Sequence, residues 1–157
     1  MHRLKQIGEL FIQNRWILCQ GIFGIYMIIL SVMDLKKKKL DLLFLLSGFL
    51  IAAAGCLCER DTPPVLLAAG GGTGLVFLII SRVTKEAFGY GDSILITVTG
   101  CLIGFWNLLS VLMAAFFMAA MFSMFLLTVR HFSRKAVFPF VPFLAAGYIG
   151  GMIIGIY

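Results

Sequence analysis

Six long apolar stretches, at 16–33, 40–58, 65–80, 94–106, 108–129 and 137–157, fill most of the 157-residue chain and leave only short polar connections. A helix needs about 20 apolar residues to cross a hydrocarbon core about 30 Å thick, so stretches of this length match the bilayer. A soluble domain of this size could not hide as much apolar surface in one core. The composition, 61% hydrophobic and 13% charged, also lies outside the soluble range. The expected fold is therefore all-α and integral to the membrane. It is a bundle of six transmembrane helices forming one domain over 16–157, behind an amphipathic segment over 1–15. In that segment Leu4, Ile7, Phe11 and Ile12 recur at roughly helical spacing, with Arg3, Lys5 and Arg15 between them. That pattern suits a helix lying on the membrane surface. It is not read as a cleavable signal peptide, since no small-residue cleavage site follows the first apolar run.

The fourth and fifth stretches nearly merge. A break is expected at Gly104, Phe105, Trp106 and Asn107, because the combined run is too long for one span and Asn107 is polar. Orientation follows from the basic residues. The first, third and fifth connections hold Lys36, Lys37, Lys38 and Lys39, then Arg82 and Lys85, then Arg130, Arg134 and Lys135. The second holds only Arg60. The odd connections are thus expected in the cytosol and both termini outside, although Arg3, Lys5 and Arg15 pull the other way. The net charge of +6 sits at helix ends and not on an aromatic-interleaved surface, so nucleic-acid binding is not expected. The stretches at 94–106 and 65–80 are short. They imply that the connection between them is drawn below the cytosolic surface, into a cavity that can hydrate irregular backbone.

Glycines mark close helix packing: Gly70, Gly71, Gly72 and Gly74 in the third stretch, and Gly147, Gly151 and Gly155 every fourth residue in the sixth. Small residues at such spacing let backbones approach in lipid, either within one bundle or across a homodimer face. Cys19, Cys56, Cys58 and Cys101 lie in apolar surroundings without a Cys-x-x-Cys pair, so neither a zinc site nor a redox pair is expected. No metal or cofactor is called for. His2 and His131 read as solvated.

The seven acids are more informative. Glu9, Glu59 and Asp61 fall at the N-terminal segment and the outer second connection, while Asp34, Asp41, Glu86 and Asp92 fall on the cytosolic side. A carboxylate in a membrane segment costs energy and needs a reason. Asp34 closes the first span, Asp41 opens the second, and Asp92 opens the fourth behind Phe88, Gly89, Tyr90 and Gly91. Those two glycines permit turns and close backbone approach. Asp34 and Asp92 also have plain readings, as a lysine-neutralised helix end and a helix cap. Asp41 is read as a cap and Glu86 as a solvated loop charge. Two carboxylates converging in a partly dry cavity cannot both ionise easily, and such a pair can divide acid and base work between its members. Position on the cytosolic side does not by itself choose among Asp34, Asp41 and Asp92.

Three sequence elements, in order along the chain, resemble the type IV prepilin peptidase family. Gly89, Tyr90, Gly91 and Asp92 form the Gly-x-Gly-Asp motif of intramembrane aspartyl proteases. Asp34 followed by four lysines and Leu40 is similar to the family's first-aspartate motif. Pro139, Phe140, Val141, Pro142, Phe143 and Leu144 resemble its late Pro-Phe-Gly-Pro-Phe-Leu segment. The resemblance implies a helical membrane endopeptidase in which Asp34 and Asp92 are catalytic and Gly89 and Gly91 support the motif. It would act in the plasma (inner) membrane of a prokaryote, with its site facing the cytosol. The implied partners are the lipid bilayer and a prepilin or pseudopilin, whose short basic leader is removed, usually after glycine. A homo-oligomer is left open. Departures stand at Asp41, Ile94 and Val141, where the family usually has proline, lysine and glycine. The Cys-x-x-Cys insertion of the long members, associated with N-methylation, is absent, and the compact build looks more like the peptidases of tight-adherence pilus systems. From other classes, a small proton- or ion-coupled transporter using Asp34, Asp41 and Asp92 as a relay, or a non-catalytic assembly factor, are the alternatives.

Overall fold

A computed structural model describes residues 15–37, 42–58, 62–84, 89–130 and 139–155. Asp41, Glu86, the acids at 9, 59 and 61, both histidines and the N-terminal segment up to residue 14 lie outside the described residues. What is described is all helical. Six helices follow in order: α1 (Arg15–Lys37), α2 (Leu42–Cys58), α3 (Pro64–Val83), α4 (Tyr90–Ile103), α5 (Phe105–Arg130) and α6 (Val141–Ile154).

Helices in lipid must satisfy their polar groups internally, and several hydroxyls here do. The hydroxyls of Thr73, Thr97, Thr99, Ser110 and Thr128 each donate to the carbonyl four residues back in their own helix. Three helices are long and apolar enough to cross a membrane: Arg15–Lys36 with 22 residues, Pro64–Val83 with 20 and Phe105–Thr128 with 24. The other three, Leu43–Leu57, Tyr90–Ile103 and Val141–Ile154, are apolar but shorter. Short helices were expected at the third and fourth stretches. The fourth is short, but the third is one of the long ones, and long and short helices alternate along the chain.

Two boundaries differ from the sequence reading. The third stretch does not end at Ile80. It continues to Val83, with Pro64 at the first helical position, where proline's missing N–H costs nothing. Ser81, read as loop, is fully buried in it. The break between the fourth and fifth stretches is one residue, Gly104, at φ 79°, a left-handed conformation that only glycine adopts readily. Trp106 and Asn107 belong to α5. Asn107 does not mark the break by being polar; its side-chain amide donates to the carbonyl of Ile103 at 2.9 Å, satisfying an acceptor left open at the end of α4.

The helices pack as a ring, α1–α2–α4–α3–α5–α6 and back to α1, with α4 also against α5. The short helix α4 is the interior element: Leu95, Ile96, Thr97, Val98, Thr99 and Gly100 are all buried. It lies closest to α3, where Gly70 and Gly100 face each other so tightly that a Cβ on either would strike the other's carbonyl, and Gly74 sits against Thr97. In α6, Gly147 meets α5, and a Cβ there would lie 2.9 Å from the Val111 carbonyl oxygen. Gly155 does a different job, ending α6 in the left-handed conformation at φ 73°. On the other side of α4, the Cys56 thiol donates to the Cys101 carbonyl at 3.2 Å. Tyr26 and Tyr148 tie α1 to its two neighbours, donating to the carbonyls of Phe44 at 2.7 Å and Gln20 at 3.3 Å.

Candidate active site

Asp34 and Asp92 are brought together at one end of the bundle. Asp34 sits in the last turn of α1 and is 8% exposed. Asp92 stands in the first turn of α4 and is half-buried. The two are close enough for the charge of Asp34 to bear on Asp92. α1 packs on α2 and α6, and α4 packs on α2, α3 and α5. The pair thus meets where two helices that share α2 as a neighbour converge.

Each carboxylate lies at a helix N-terminus, where unpaired N–H groups and the helix dipole favour negative charge. For Asp92 the helix is its own. Gly89 is the N-cap of α4, with φ −56°, and offers no side-chain cap; Ser93, fully buried, returns both its N–H and its hydroxyl to the Gly89 carbonyl at 3.2 Å. For Asp34 the helix is α6, whose first residue, Val141, brings its main-chain N–H near the carboxylate. Asp34 Oδ2 is buried with no hydrogen-bond partner among the described residues.

Gly89 makes a close approach of the kind read in the sequence, with the Asp92 side chain as what approaches it. Neither Gly89 nor Gly91 has a positive φ, so no special turn is made there. A Cβ placed on Gly89 would lie 2.6 Å from Asp92 Oδ2 and 3.1 Å from its Cγ; the bare position leaves room for the carboxylate. Gly91 is half-buried in the first turn of α4. Ile94, one of the departures, packs against the core. Val141, another, is fully buried, and its contact with Asp34 was not legible, because a main-chain donor carries no mark in the residue type. The only hint was its place in the proline-flanked late segment.

Exposed Lys36 and Arg82 lie at the same end as the pair, and Trp16 and Trp106 at the other. Among the described residues no group of three or more His, Cys, Asp or Glu side chains could hold a metal ion. A family model described as the type IV leader peptidase family matches residues 21–124, a stretch that includes Asp34, Gly89, Gly91 and Asp92. Searches of curated proteins and of solved structures returned no match.

Proposed function

The chain belongs to the type IV leader peptidase family, a family of membrane proteases, and we propose that it removes the short basic leader of a prepilin or pseudopilin with Asp34 and Asp92 as its catalytic pair. The observation that carries this is the meeting of the two acids, 58 positions apart in sequence, at one end of the bundle, where the charge of Asp34 reaches Asp92. One carboxylate, ionised, takes a proton from water as the water oxygen attacks the scissile carbonyl. The other, protonated, donates to the carbonyl oxygen, and collapse of the tetrahedral intermediate breaks the C–N bond with a proton passed to the leaving amine. Gly89 keeps the space that Asp92 needs, and Gly91 completes the motif.

The whole unit over 16–157 is proposed to cross the membrane six times, in a prokaryotic plasma membrane, with residues 1–15 on its surface. The short helix α4 is compatible with this because protein, not lipid, surrounds most of it. The cytosolic placement of the pair is favoured by Lys36 and Arg82 at its end and by the two tryptophans, suited to an interface, at the other. A proton relay finds less support, since the hydroxyls of Thr97, Thr99 and Ser110 are engaged within their own helices.

The test is processing of a co-expressed prepilin-like substrate, scored as a mobility shift. Asp34→Asn and Asp92→Asn should each abolish the shift, and Asp41→Asn should leave much of it. Full processing by either of the first two variants excludes the pair.

A further inference from the structure

Asp34, in the last turn of α1, lies near the start of α6, a helix that packs on α1 and whose first residue, Val141, brings its main-chain N–H near the carboxylate. The first turn of α6 is organised by Phe140. Its carbonyl accepts the N–H groups of Phe143 at 3.0 Å and Leu144 at 3.2 Å, and its side chain is 9% exposed. The Phe140 ring rests 5.2 Å, centroid to centroid, from that of Phe116 on α5. Phe116 in turn stands 6.2 Å from Phe77 on α3. A row of three rings therefore runs from α3 across α5 to the residue preceding Val141.

We propose that Phe116 is a positioning residue of this peptidase, acting on Asp34 through Phe140 and the first turn of α6. The role presupposes the catalytic part assigned to Asp34 above. Phe116 touches neither carboxylate and is 40% exposed, so its side chain contributes less buried area than a core residue and its removal is tolerable to the fold. Removal does take away the lateral support of Phe140. The N-cap can then relax toward α5 and draw the Val141 N–H away from Asp34. Displacements of about 1 Å in a reacting group can cost about 100-fold in rate, so the effect is expected in kcat.

The experiment uses the purified full chain in detergent with a synthetic peptide made of a basic leader, a glycine and an apolar helical segment. Phe116→Ala should lower kcat on the order of 10- to 100-fold, with KM changed less than about twofold, the signature of lost transition-state stabilisation and not of lost binding. Phe116→Tyr, which keeps the ring, should restore most of the rate. Phe117→Ala removes an equal side chain from the next position of α5, 68% exposed, and should leave kcat unchanged. The double variant Phe116→Ala/Phe140→Ala should lose little beyond the larger single loss, because both act through one contact. Should Phe116→Ala fail to accumulate, Phe116→Leu keeps much of the volume without the ring and carries the same expectation. An unchanged kcat, a loss confined to KM, or an equal loss in Phe117→Ala overturns the proposal. An active Asp34→Asn protein overturns the catalytic pair instead, so the two failures are told apart.

Discussion

At the scale of single residues, Gly89 is defined by what stands beside it. The space where its side chain would be is filled by the Asp92 carboxylate, so even a methyl group forces the acid to another rotamer or the α4 cap to shift. Gly89→Ala should therefore cost at least about tenfold in kcat, by misplacing a reacting group, while the protein still folds; wild-type turnover with the same thermal midpoint would refute this. The residue types of the pair were legible in the sequence, since carboxylates at apolar boundaries are rare and need a reason. What selected Asp34 over Asp41 was the family motif, because polarity alone marks both. A close approach at Gly89 was legible as well, but its partner was not, since a sequence records that a side chain is missing and not which atom occupies the gap.

Among the helices, α3 and α4 make the closest contact, and their glycines are not equivalent. Gly70 abuts the Gly100 backbone, whereas Gly72 on the same helix has nothing within 4 Å of the point where a Cβ would stand. Gly70→Ala should then destabilise the protein by about 1–3 kcal/mol through overpacking. Gly72→Ala should be neutral or stabilising by up to about 1 kcal/mol, from alanine's better helix propensity. Denaturation in mixed micelles measures both, and equal effects at the two positions would contradict the packing described. The four clustered glycines announced a close approach but could not say which of them makes it, because that depends on the rotation of α3 about its axis. Boundaries failed for a similar reason. Asn107 and Ser81 look like loop residues until a carbonyl or a buried seam supplies their partners, and such partners come from elsewhere in the fold.

For the molecule as a whole, the apolar stretches carried the all-helical architecture, whereas the ring order of helices, with α4 inside, depends on long-range packing that periodicity does not encode. Loop charges supply the proposed orientation, and labelling tests it. In a chain with its native cysteines replaced, a cysteine at Lys36 should react with a membrane-impermeant thiol reagent only after the cell is opened. One at Trp106 should react in intact cells, and the reverse pattern would invert the proposed orientation. The one-residue junction at Gly104 also bears on how the protein is made. α4 is short and turns its hydroxyl-bearing residues and Gly100 toward protein, so it is a poor candidate to enter lipid alone. α5 is long and apolar on all sides, and with a single residue between them the two must be inserted together as a helical hairpin, α5 drawing α4 in behind it. Cys101 reports on that step: in a chain halted after Gly104 it should stay open to a water-soluble alkylating reagent, and once α5 is complete it should be shielded.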